Sequence, residues 1–136
     1  MTMRAFVIGA WSTCAFVLAC CDGGEPPREA TLTAVRADIF DPRCSASVCH
    51  SNGGARDLDL TNEPFEGLVN VPSIADPDIL RVKPGDPDNS LLFQVVQANV
   101  PDAELGELDQ MPVGGQLDEA DLDQLRRWIE EGAENN

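Results

Sequence analysis

The chain has 136 residues, 24 of them acidic against 9 basic, with a formal net charge of −15 at pH 7. So acidic a surface repels nucleic acid and anionic lipid headgroups, which excludes both as electrostatic partners. The length leaves room for one domain, and a 43% share of hydrophobic residues can build its core.

Residues 1–19, MTMRAFVIGAWSTCAFVLA, carry a single charge, Arg4, ahead of an unbroken uncharged run. A basic start followed by an apolar run of about 15 residues reads as a secretory signal. It is shorter than the roughly 20 residues that span a bilayer, although an uncleaved anchor is the alternative. The run ends in VLACC, residues 17–21. An apolar residue, the small Ala19 and then Cys20 resemble the lipobox of bacterial lipoproteins. That resemblance implies a lipidated Cys20 as the first mature residue, with Cys21 as the other register and an ordinary cleaved signal as the bland alternative. Either way the mature domain is extracytoplasmic, in the periplasm or at the cell surface, where disulfides can form. Loss of Arg4 leaves 8 basic against 24 acidic residues, a balance of −16. Attachment to a bacterial membrane must then come from lipid chains, and two or more hold firmly.

Residues 20–30 comprise the cysteines and the Gly/Pro-rich DGGEPPREA, which has no apolar period and reads as a flexible tether. The domain proper is expected over 31–134. In TLTAVRADIF, Leu32, Val35, Ile39 and Phe40 recur at helical spacing, and Pro42 is expected to stop that helix just before Cys44. In LDLTNEPFEGLVNV, Thr61 or Asn62 can cap a short helix with Pro64 in its first turn and Phe65, Leu68 and Val69 as its apolar face. Residues 75–88 are broken by prolines and predict loop with at most a brief extended piece. Helical character resumes at Ser90, with Leu91, Leu92, Val95 and Val96 as the expected buried side.

Residues 98–117 are irregular and hold Met111; so long a loop in a small domain argues for function. The last helix is the clearest. Asp118 is its expected N-cap, Leu122, Leu125, Trp128 and Ile129 form its stripe, and Gly132 closes it. No repeat and no convincing strand pair is present. The prediction is a small all-α domain of three to four short helices with long loops and a thin core.

The segment IFDPRCSASVCHS, residues 39–51, contains Cys44, Cys49 and the single histidine of the chain, His50. Two thiols can add to the two vinyl groups of haem, and a histidine directly after the second can supply an imidazole ligand. That is the logic of the Cys-x-x-Cys-His attachment signature. Here four residues, Ser45 to Val48, separate the cysteines, while the Cys49–His50 relation is intact. Methionine sulfur is the second axial ligand in many such proteins and raises the reduction potential. Met1 and Met3 leave with the signal, and Met111 remains, 61 residues after His50.

At this point the chain resembles a single-haem cytochrome c domain of the secreted or lipid-anchored bacterial type. The matching stretches are IFDPRCSASVCH, LDL, LVNVPS, RVKPGDPDNSLLFQVV, MPVGGQL and LDQLRRWIEEGA, in order from about 32 to 133. The resemblance implies one covalent haem c attached through Cys44 and Cys49, with His50 and Met111 as axial iron ligands. It implies first and last helices packed together beside the haem. It also implies an electron carrier working between donor and acceptor redox proteins, not an enzyme. Arg81 and Lys83, rare cations in an acidic chain, and Trp128 on the last helix are its candidate haem contacts. A haem would also complete the thin core, leaving the chain without it poorly folded. The departure is the four-residue spacing.

Three alternatives stand beside this reading. Cys44 and Cys49 can pair as a disulfide in a lipoprotein interaction module without haem. They can join His50 and a carboxylate around zinc, although spacing supplies no fourth ligand. Without Met111 as a ligand, a five-coordinate haem would bind small ligands or act on peroxide. The acidic last helix is otherwise a solvated face, or one that steers basic redox partners.

Overall fold

The computed structural model describes residues 26–52, 54–97 and 108–136. The expected signal, Cys20, Cys21 and most of the tether lie outside them. Helix α1, Leu32–Val35, starts at Thr31, whose Oγ1 accepts from Ala34 N at 3.1 Å. The other free N–H groups of its first turn find an unusual partner. Leu32 N donates to Asn136 Oδ1 at 2.9 Å and Thr33 N to Asn136 O at 3.0 Å. The far end of the described chain thus completes the cap that a helix start requires.

Pro42 does not stop this helix. The chain continues as a wide π-helix over Arg36–Cys44 with Pro42 inside it, closed by Ser45 N donating to Phe40 O at 2.9 Å. Proline clashes with the carbonyl four residues back in an α-helix, and a five-residue hydrogen-bond step removes that conflict. The prolonged helix ends on Cys44. Leu32, Val35, Ile39 and Phe40 are all buried.

Helix α2 is Pro64–Leu68, preceded by Glu63 in a left-handed conformation with no side-chain cap. Thr61 and Asn62 do not cap it. Their N–H groups turn back to Asp59 Oδ1, at 2.8 and 3.2 Å, in an Asx-turn that competes with capping. Helix α3 is Leu91–Val96 and follows a 3-10 turn at Pro87–Asn89. Helix α4, Glu119–Glu130, begins at Asp118, whose side chain accepts from Asp121 N at 2.8 Å; such caps contribute about 1 kcal/mol. Leu125, Trp128 and Ile129 are buried, and Gly132 has the positive φ that ends the helix.

The described residues contain no strand. Two single bridges, Val69 with Val82 and Pro72 with Leu80, mark the brief extended piece. The core joins α1 to α4, which contact each other directly, and α3 also lies against α4. A polar seam runs beside it. Asp121 is buried, with Oδ1 2.5 Å from Arg28 and Oδ2 3.6 Å from Arg43. Gln124 Nε2 donates to Glu29 O and to Asp38 Oδ2, both at 2.9 Å, and Arg127 Nη2 donates to Arg28 O at 2.6 Å. Arg28 and Glu29, expected in the tether, are therefore fastened to α4.

Candidate functional site

The turn after α1 closes on itself. His50 N donates to Cys44 O at 3.1 Å, and Cys49 N donates to Ala46 O at 2.7 Å. The next residues wrap underneath, with Ala55 N on Cys49 O at 2.8 Å and Leu60 N on His50 O at 2.8 Å. Gly54 sits so close to the Cys49 carbonyl that a Cβ there would overlap it. Its φ is an ordinary −62°, so close approach, not handedness, demands glycine.

Met111 is placed from a different direction. Its N–H donates to Val95 O, at the end of α3, at 2.7 Å. The start of α3 is held in turn, with Leu91 N on Leu80 O at 3.0 Å and Leu92 N on Arg81 O at 2.9 Å. The 80–82 segment is laced to 69–73 by Arg81 N on Val71 O and Ser73 N on Ile79 O, each 2.8 Å.

These pieces enclose a cleft of about 770 Å³, its open mouth included. Cys44, His50 and Met111 all line it. Leu58, Leu60 and Leu68 form one wall; Leu91, Leu92, Val95 and Val96 of α3 form another. The expected buried side of α3 is thus divided. Val96 and the unanticipated Phe93 are buried, while Leu91, Leu92 and Val95 stay half-buried at the cleft.

The polar groups of this wall are few and unusual. His50 Nδ1 is buried without a hydrogen-bond partner, a costly state for an imidazole that ligation or a small adjustment would relieve. The Cys44 thiol is pushed up to about 11 by burial first and by Cys49 second, with Arg43 opposing. It therefore remains protonated at neutral pH and is a poor nucleophile by itself. Cys44 and Cys49 are not bonded to each other in this structure. Among the described residues no three His, Cys, Asp or Glu side chains converge as a metal-binding group.

Of the remaining candidates, Arg81 lines the cleft, and Arg56, which no sequence motif singles out, lines it too. Lys83 does not line it. It is exposed and its Nζ pairs with Asp86 Oδ2 at 2.7 Å. Trp128 does not line it either, being 1% exposed in the core with Nε1 donating to Glu134 O at 3.0 Å. Cys49 is half-buried in the turn beside His50 and is likewise not part of the wall. No helix among the described residues is long and apolar enough to cross a membrane. No family model matches the chain, and neither a curated protein nor a solved structure matches it.

Proposed function

We propose that this chain is a c-type cytochrome domain that carries single electrons between redox proteins outside the cytoplasm. In this reading Cys44 and Cys49 would hold haem covalently, and His50 and Met111 would supply the ligands to its iron. One observation carries the proposal: Cys44, His50 and Met111, 61 residues apart at the two ligands, line one apolar cleft. The donor set fits the group, since an imidazole and a thioether are the ligand pair of many cytochromes c. The leucine-rich walls fit it as well. When bound, haem supplies a one-electron iron couple; the protein supplies attachment, ligation and a low-dielectric setting.

The residues of the chain each have a task in this account. The closed 44–50 turn carries both cysteines and the imidazole in one short stretch, with Cys44 and His50 at the cleft wall. The α3 carbonyl of Val95 holds the Met111 backbone on the other wall. Leu91, Leu92 and Val95 exclude water between them. The acidic surface selects partners with basic docking faces. Cys20 would fix the domain to a membrane through lipid.

Expression of the full chain with a cytochrome c maturation system tests the reading. Haem staining of the denatured polypeptide is expected, and its loss in the Cys44→Ala, Cys49→Ala double variant. An exported, folded chain without stain would sink the proposal. In the haem-bearing protein, Met111→Ala should abolish the sulfur–iron charge-transfer band and lower the reduction potential; an unchanged band would remove Met111 from the ligand set.

A further inference from the structure

The segment that enters the domain is fastened to α4 by side chains that do not depend on it. Arg28 Nη1 donates to Asp121 Oδ1 at 2.5 Å, Arg127 Nη2 donates to Arg28 O at 2.6 Å, and Gln124 Nε2 donates to Glu29 O at 2.9 Å. Each of these α4 side chains also has a partner outside residues 28–30. Asp121 Oδ2 faces Arg43 Nη2 at 3.6 Å, Gln124 Nε2 donates to Asp38 Oδ2 at 2.9 Å, and Arg127 Nε donates to Asp123 Oδ2 at 2.9 Å. Arg43 and Asp38 belong to the π-helix, and Asp123 to α4 itself. Burying a polar group is most costly when it is left without any partner, and loss of residues 28–30 would leave none of the three so.

The segment also buries little. Arg28 and Ala30 are half-buried and Glu29 is exposed; the first buried residue after them is Leu32, in α1. Apolar burial stabilises in proportion to the area removed from water, so the hold on residues 28–30 is mainly polar. The start of α1 keeps its own cap, from Thr31 Oγ1 and Asn136, without them.

We infer that residues 28–30 form a releasable strap, which α4 clasps through Asp121, Gln124 and Arg127 and can let go without unfolding the α1–α4 core. On release Arg43 takes over Asp121, its guanidinium closing from 3.6 Å to the roughly 2.8 Å of a hydrogen-bonded ion pair. The point at which the domain is held then moves from Arg28 to Thr31. In the lipid-anchored reading this adds the strap to the tether, about 10 Å of reach toward a redox partner. The strap itself does not rest on the haem reading.

Trypsin reads the strap, because cleavage after Arg28 requires that side chain to leave Asp121 and enter the pocket of the protease. The full exported chain is digested in rising urea below its unfolding transition, with the unfolded chain as the control that the bond is a substrate. Cleavage after Arg28 should proceed in the native chain at a rate that urea scarcely changes, since local opening exposes little surface. Cleavage after Arg36, inside the π-helix, should need urea, and the product beginning at Glu29 should keep the unfolding midpoint of the intact chain. In intact chains Arg28→Gln and Arg43→Gln should each lower the midpoint slightly. The double variant should lower it by more than their sum, because only then is the buried carboxylate without a cation. Cleavage after Arg28 that rises with urea in step with Arg36, a product of lower midpoint, or additive arginine effects each overturns the strap. None of these readouts involves haem, so their failure leaves the cytochrome reading standing.

Discussion

Gly54 shows how one residue can control a site without touching a ligand. A Cβ at this position would overlap the Cys49 carbonyl, which also accepts from Ala55 N at 2.8 Å. Any Cβ there must displace backbone rather than a flexible side chain. Gly54→Ala should therefore destabilise the domain by about 2 kcal/mol or more. Denaturant unfolding of the haem-bearing protein measures it, and a midpoint equal to wild type would show that the turn relaxes freely. The same scale separates Met111 from an ordinary core methionine. It is only half-buried, and its backbone is hydrogen-bonded to α3 at the cleft wall.

At the scale of elements, the turn before α2 illustrates local polar chemistry overruling a capping pattern. Asp59 takes the Thr61 hydroxyl and the Asn62 side-chain amide as well as both backbone N–H groups. The side-chain hydrogen bond from Thr61 comes first, then that from Asn62, and together they hold the Asp59 carboxyl well below its ordinary 3.8. A carboxyl depressed in the folded state stabilises above its unfolded pKa and loses that contribution as pH falls. The stability gap between wild type and Asp59→Ala should thus be constant from about pH 7 to about pH 5 and narrow below that. Thermal melts at stepped pH give the gap; one that widens with acid would contradict the sign. The π-helix is the other lesson at this scale. The apolar spacing of Leu32, Val35, Ile39 and Phe40 was legible, but the passage of the helix through Pro42 was not. Periodicity reports which residues are buried, whereas the step from an α- to a π-helix depends on a backbone hydrogen-bond choice that side-chain pattern does not encode.

Across the whole molecule, the α1–α4 core and the cleft differ in what they depend on. Leu32, Val35, Leu125, Trp128 and Ile129 bury one another with no ligand, each such burial contributing about 1.5–3 kcal/mol. The α3 face, the 54–60 wrap and the Met111 loop line a cleft and have less of their own to bury. Hydrogen exchange on the chain produced without haem should show protected amides in α1 and α4 and fast exchange at the cleft segments, with protection restored there once haem is attached. Equal protection everywhere would mean that the cleft does not need a ligand. This refines the expectation of a poorly folded apo chain into one of regional disorder, because the polar seam of Arg28, Arg43, Asp38, Asp121 and Gln124 already locks the two end helices.

The sequence alone determined the helical class, the last helix with its Asp118 cap, and the candidates Cys44, Cys49, His50 and Met111. Those rest on short-range information: spacing, capping chemistry and the adjacency of cysteine and histidine. Only the tertiary structure decided that Met111 and His50 share a cleft, that Arg56 stands with Arg81 at it, and that Lys83 and Trp128 stand elsewhere. Each of those facts depends on contacts between segments tens of residues apart, closed by backbone hydrogen bonds such as Met111 to Val95 and Leu92 to Arg81. Backbone donors and acceptors are the same at every residue, so their pairing leaves no mark on composition or spacing.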